Sequence, residues 1–151
     1  ETPDDVEKLW NTRTSLSPPL RHVAQKKNNE DIAGPISAMP ALIEGLERLS
    51  GEHGINIVNF GHAGNGNIHV NLLVNPDDSA EMQRADACLA DVFSLVISLR
   101  GTLSGEHGVG LEKRDYIVQE LDPVSLRLMH SIKQQFDPNN ILNPGKTLPP
   151  I

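Results

Sequence analysis

Ile55-Asn56-Ile57-Val58-Asn59-Phe60 and Ile68-His69-Val70-Asn71-Leu72-Leu73-Val74 are two alternating, β-branched runs, and Asn65-Gly66 lies between them. Alternation gives each run one apolar and one polar face, and Asn-Gly is a strong two-residue hairpin signal, so the stretch predicts two antiparallel strands. Upstream, Glu30-Asp31-Ile32-Ala33-Gly34 has weak strand character before Pro35. From Ser37, Met39, Leu42, Ile43, Leu46 and Leu49 recur at helical spacing until Gly51. Downstream, Met82, Ala85, Leu89, Val92, Val96 and Leu99 stripe a helix expected from about Ser79 to Leu99, stopped by Gly101. The order β-α-β-β-α is the beginning of a ferredoxin-like α+β sandwich, an antiparallel sheet packed with helices.

At the ends, Val6, Leu9 and Trp10 behind Pro3 predict a short opening helix from Asp4 to Thr14, closed by Pro18-Pro19. A glycine-rich loop runs from Gly101 to Gly110. Beyond it the pattern turns helical around Tyr116, Ile117 and Leu121, and again at Leu126, Met129, Ile132 and Phe136 after Asp122-Pro123. The tail from Asp137 to Ile151 is rich in proline and glycine and is expected to be extended, with something to lie against.

The chain of 151 residues, 38% of them hydrophobic, suits one domain covering 1–151, its core built from Leu, Ile and Val because aromatics make up only 3%. A net charge of −7 with no dense basic run argues against nucleic acid as a partner. Cys88 is the only cysteine, which excludes an internal disulfide and a thiolate cage, so any metal must use His, Asp or Glu. A lone cysteine suits a reducing compartment, the cytoplasm or, in a eukaryote, the mitochondrial matrix. No apolar run has the length of a membrane span, and Glu1-Thr2-Pro3-Asp4-Asp5 lacks signal-peptide character. Beginning without Met, the chain is expected to be a fragment or a processed piece.

Candidate chemistry gathers at the hairpin. If Asn65-Gly66 form a type I′ turn, Gly64 pairs with Asn67 and His62 falls opposite His69, with both imidazoles on one face and Asn71 one step further along it. Two histidines on a hairpin face can simply solvate it; a shared metal site needs a third ligand and an open position. Glu106 or His107 can supply that ligand from the glycine-rich loop, one serving a metal and the other the substrate. Two His and one carboxylate suit zinc, manganese or ferrous iron. Arg13, Lys26 and Lys27 are candidates for a substrate carboxylate. A repeat is also present: Leu-Ser-Gly-Glu-His-Gly occurs at 49–54, where it reads as a helix cap and turn, and again at 103–108, where both a structural and a ligand-binding role are open.

Three segments carry a resemblance: Phe60-Gly61-His62-Ala63-Gly64-Asn65-Gly66-Asn67-Ile68-His69, Gly101-Thr102-Leu103-Ser104-Gly105-Glu106-His107-Gly108-Val109-Gly110, and Asp137-Pro138-Asn139-Asn140-Ile141-Leu142-Asn143-Pro144-Gly145-Lys146. In that order they resemble the hallmarks of the C-terminal domain of FAD-linked oxidases, a family that includes D-lactate dehydrogenase, the flavin subunit of glycolate oxidase and D-2-hydroxyglutarate dehydrogenase. The resemblance implies His62, His69 and Glu106 as metal ligands and His107 as general base. Arg13 and Lys27 would grip the substrate carboxylate, with Asn71 beside the substrate, and Asn143 would approach the flavin. It also implies oxidation of a D-2-hydroxy acid by hydride transfer to FAD held in a separate N-terminal domain, so that this piece alone is inactive. Electrons would pass on to a flavoprotein, cytochrome or quinone, and homo-oligomerisation stays open. Many relatives have Asp where Asn65 stands, one negative charge more beside the site; both residues tolerate a left-handed turn. The rival expectations are a stand-alone metal hydrolase with His107 moving protons, and a non-catalytic interaction module that docks through its tail.

Overall fold

The computed structural model describes residues 2–14 and 26–150, without the side chains of residues 13, 14, 26 and 27. Its elements are α1 (Pro3–Thr14), β1 (Lys26–Ala33), a 3-10 turn (Ile36–Ala38), α2 (Met39–His53), β2 (Asn56–His62), a 3-10 turn (Ala63–Asn65), β3 (Asn67–Val74), α3 (Ser79–Ser98), a 3-10 segment (Arg114–Gln119) and α4 (Pro123–Phe136). The α+β architecture is the expected one. The sheet is antiparallel in the order β1-β3-β2. The fourth strand of a ferredoxin-like sheet is reduced to a single bridge between Ala33 and Thr102, each donating its N–H to the other's carbonyl at 3.1 and 2.7 Å. No helix among the described residues is long and apolar enough to cross a membrane.

Both central helices form for legible reasons. In α3, the Asp78 carboxylate accepts from the amides of Ala80 and Glu81 at 2.9 and 3.0 Å, satisfying donors that a helix start leaves unpaired. Its stripe of Ala85, Cys88, Leu89, Val92, Phe93 and Val96 is buried, and Leu42, Leu46 and Leu49 of α2 pack beside it. Both helices cover the sheet face that carries Ile32, Ile68, Val70, Leu72 and Val74. Burying a Leu, Ile, Val or Phe side chain contributes about 1.5–3 kcal/mol, so this layer holds the domain together. Burial pushes the Cys88 thiol up to about 11, with Asp91 adding to it, so the cysteine is a packing residue. The helix α2 runs past Gly51 to His53, where Gly54 at φ +62° caps it.

Two elements sharpen or alter the expectation. The segment around Tyr116 is a 3-10 helix, with Ile117 buried and Tyr116 tilted against Phe93 at 4.7 Å. The tail contains turns, with Asn140, Asn143 and Thr147 at positive φ, and folds back so that His130 bonds the Pro149 carbonyl at 2.9 Å. Asp137 organises its start: its carboxylate accepts from the amides of Ile141 and Leu142 at 2.9 Å each and pairs with Lys133. The amphipathic pattern of α4 is real, but Met129, Ile132 and Phe136 are exposed, the last by 81%. On α1, Val6, Leu9 and Trp10 are exposed too.

Candidate active site

The hairpin turn is not type I′. Ala63–Asn65 form a right-handed 3-10 turn and only Gly66, at φ +77°, is left-handed. A right-handed turn closed by one left-handed glycine makes a four-residue loop. The position admits no side chain, since a Cβ on Gly66 would lie 2.1 Å from the Gly34 carbonyl, and Gly34 in turn donates to the Gly66 carbonyl at 3.0 Å. The longer loop shifts the register: His62 stands opposite Asn67, and His69 stands opposite Phe60. A shift of two residues preserves parity, so His62 and His69 still share a face, now as diagonal neighbours with ring centroids 5.6 Å apart.

That face is the one the helices leave uncovered. The strand register places Phe60 and His62 of β2, Asn67, His69 and Asn71 of β3 and Asp31 of β1 on it. Over it lies the loop from Thr102 to Gly110. Glu120 pins the loop's entrance, accepting from the Thr102 hydroxyl at 2.7 Å and the Leu103 amide at 2.9 Å. Leu103 is fully buried. Gly105 lies on Asn67, where a Cβ would come within 2.5 Å of the Asn67 Oδ1. Glu106 and His107 then project over the histidines.

Three imidazole nitrogens converge on one carboxylate oxygen. Glu106 Oε1 is 3.3 Å from His69 Nε2, 3.9 Å from His62 Nε2 and 3.8 Å from His107 Nε2. The His69 and His107 rings stack at 5.3 Å. Burial pushes the His69 imidazole down, with the Glu106 charge opposing, which favours a neutral ring able to donate a lone pair. His69 Nδ1 is buried and has no partner. The ligand atoms of His62, His69 and Glu106 lie within 4.8 Å of one another. A neutral imidazole lone pair and a carboxylate oxygen repel unless a proton or a cation lies between them, and two nitrogens with one oxygen form a donor set for a divalent ion. These residues therefore fit a metal.

The family is shown by comparison. The sequence profile of the C-terminal domain of FAD-linked oxidases matches residues 1–147. The chain belongs to this family. It is 36% identical to D-2-hydroxyglutarate dehydrogenase of Stutzerimonas stutzeri, with 97% of this chain and 32% of that protein covered. It is 31% identical to glycolate oxidase subunit GlcD of Escherichia coli, covering 98% of this chain and 30% of the relative. It is 33% identical to D-lactate dehydrogenase of Anaerostipes hadrus, covering 97% and 31%. The chain thus spans about a third of the length of these relatives. The fold is shared with 4-ethylphenol oxidase from Gulosibacter chungangensis, solved as an isoeugenol complex, at a TM-score of 0.57 and 19% identity over 81% of this chain and 24% of that one.

Against this FAD-linked oxidase domain, the expected site residues divide into three groups. His62, His69, Glu106 and His107 come together. Asn71 lies on the same row but is fully buried, its Nδ2 donating to the Val58 and His69 carbonyls at 3.0 and 3.3 Å and its Oδ1 unpartnered. Asn143 lines a separate groove between α4 and the tail, with Lys133, Phe136 and Lys146, and accepts from Lys146 Nζ at 3.3 Å. Arg13 lies in the last turn of α1 and Lys27 on β1 pairs with Leu73 of β3, but their side chains lie outside the described residues. Asn65 is right-handed and accepts from the Asn67 amide at 3.4 Å, so left-handed tolerance is not what the turn asks of it.

Two residues escaped the sequence reading. Asp31 is completely buried opposite His69, and Lys113 is 3% exposed. Lys113 Nζ donates to the Asp31 carboxylate and backbone carbonyl, both at 2.7 Å, and lies 3.5 Å from Glu30. Burial opposes the Asp31 charge, but hydrogen bonds from the Glu106 amide, the Lys113 ammonium and the His107 amide outweigh it and hold the carboxyl at about 2. The available signal was the Glu30-Asp31 pair inside a strand, a costly place for charge without a partner. Nothing in the sequence around Lys113 named it as that partner.

Proposed function

We propose that this domain forms the substrate side of a flavin-dependent dehydrogenase that oxidises a D-2-hydroxy acid of the lactate, glycolate or 2-hydroxyglutarate type to the 2-oxo acid. The observation that carries the proposal is the convergence of His62, His69 and Glu106, with His107 stacked on His69, on the sheet face away from the helices. The names of the relatives suggest the substrate class, and the flavin domain would be a separate part of the same protein.

His62, His69 and Glu106 would hold a divalent ion, zinc being well matched to this donor set and manganese or iron also compatible with it. When bound, such an ion supplies a Lewis acid for the C2 hydroxyl, and FAD supplies the two-electron acceptor. His107 would take the hydroxyl proton, a role supported by its 44% exposed side chain and by Asp31 Oδ1 lying 3.6 Å from its Nδ1 while Glu106 lies near its Nε2. Loss of that proton and of hydride from C2 converts the alcohol carbon to the carbonyl. Arg13 and Lys27 would hold the carboxylate, Asn71 Oδ1 offers an unused acceptor on the same row, and Asn143 would approach the flavin from the tail.

The test is elemental analysis of the purified chain beside a His62→Ala, His69→Ala variant, followed by hydroxy-acid assays once the flavin domain is restored. About one equivalent of metal, absent from the variant, is expected. Turnover of D-lactate, glycolate or D-2-hydroxyglutarate only in the restored enzyme would support the proposal. Ester or phosphodiester hydrolysis by the chain alone would replace it with a metal hydrolase, and absence of metal with full activity of the variant would leave only an interaction module.

A further inference from the structure

We propose that Asp31, locked by Lys113, is the positioning residue that aims Glu106 and His107 at the site, a role that rests on the metal and base assignments above. Glu106 and His107 belong to a loop with no helix or strand of its own, flanked by glycines that leave the backbone free. Such a segment needs an external anchor if both side chains are to stay within hydrogen-bonding reach of their targets. The anchor is present. One oxygen of Asp31 accepts the backbone amides of both residues, that of His107 at 2.9 Å and that of Glu106 also in contact.

The other oxygen is taken by Lys113, which also grips the Asp31 backbone carbonyl. The carboxylate therefore has no rotational freedom. It is wholly buried, on β1 beside the central strand β3, directly opposite His69. Rigid sheet, ligand His69 and the loop ligand's backbone are thus joined through one side chain. On the other side, Gly105 pressed on Asn67 sets the height of the loop.

Asp31→Asn separates positioning from mere stability. The amide keeps one acceptor but turns its NH2 toward either Lys113 or the two backbone N–H groups, donor against donor. Lys113 retains Glu30 as a counter-charge, so the fold is expected to survive. A buried group that orients ligands typically changes metal affinity by about 10–100-fold when lost, and that is the weakening expected for zinc binding. In the holoenzyme kcat falls while KM changes little, because the substrate's carboxylate clamps are elsewhere. Hydrogen exchange of the Glu106 and His107 amides should accelerate. In Asp31→Asn with Lys113→Met the clash is removed, the amide oxygen again serves the two N–H groups, and zinc affinity and kcat recover toward the parent.

A His62→Ala control keeps the two ideas apart. If His62→Ala binds zinc like the parent, the metal assignment is wrong, and Asp31 is judged on amide exchange and kcat alone. Unchanged amide exchange, zinc affinity and kcat in Asp31→Asn would overturn the positioning role. If that single variant does not fold, the double variant decides: zinc affinity near the parent's supports the role, and affinity as poor as that of His62→Ala overturns it.

Discussion

Leu49-Ser50-Gly51-Glu52-His53-Gly54 and Leu103-Ser104-Gly105-Glu106-His107-Gly108 spell the same hexapeptide and do different work. In both, the leucine is buried and the final glycine is left-handed, at φ +62° and +87°. Between those ends the chains part. The first copy continues α2, so Glu52 meets Arg48 one turn back at 2.8 Å and His53 meets Asp91 of α3 at 2.8 Å. The second has no helix to continue. Its Ser104 hydroxyl accepts the Gly108 amide at 2.8 Å, its Glu106 and His107 amides go to Asp31, and its Glu and His side chains face two other histidines. Identical residues become surface ion pairs in one place and a candidate active site in the other, according to what accepts their backbone N–H groups.

The sharpest way to test that contrast is His107→Ala against His53→Ala. Loss of a general base lowers kcat by about 10²–10⁴-fold, so the first should nearly abolish hydroxy-acid oxidation in the holoenzyme, whereas the second removes an ion pair with the exposed Asp91 and should leave kcat unchanged. Comparable losses from both would erase the distinction. Next comes Glu106→Gln against Glu52→Gln. Zinc retained through gel filtration should fall from about one equivalent to near none in the first and stay at parental level in the second. Stability by urea titration should drop by no more than about 0.5 kcal/mol for Glu52→Gln, the usual value of an exposed i,i+4 pair.

The shared features predict shared effects. Leu49 and Leu103 are 3% and 0% exposed, so either change to Ala should cost about 2–5 kcal/mol in denaturant unfolding. Gly54→Ala and Gly108→Ala each force a Cβ into the left-handed region with no neighbour to clash, a cost of about 1–2 kcal/mol. Only Gly108→Ala should also lower kcat, because its backbone is continuous with His107. Equal kinetic effects at both glycines would show that the loop is less dependent on its own geometry than Asp31 makes it.

The hairpin shows how legible the site was and where legibility ended. Two alternating runs with Asn-Gly between them announced antiparallel strands, and side-chain parity put His62 and His69 on one face. The loop length was misread, because Gly34 holds the Gly66 carbonyl and the turn takes four residues instead of two. The site survived this error only because the register moved by an even number of residues. Arg114–Gln119 is helical as its pattern says, but periodicity over so few residues does not distinguish a 3-10 segment from an α-helix. The tail motif was recognisable, but its turns depend on the Asp137 carboxylate accepting the Ile141 and Leu142 amides, a contact that hydrophobic spacing does not signal.

The sequence by itself determined what depends on local period and residue chemistry: the β-α-β-β-α order, the buried stripes of α2 and α3, the capping of α3 and α4 by aspartates, and a supply of His and Glu side chains in two of the three recognisable segments. Only the tertiary structure decided that a buried Asp31–Lys113 pair, 82 residues apart in the chain, holds the second copy of Leu-Ser-Gly-Glu-His-Gly against the histidines. The physical reason is that hydrophobic period and capping are properties of neighbours along the chain. A buried charge instead takes its partner from whatever the completed fold brings within hydrogen-bonding distance.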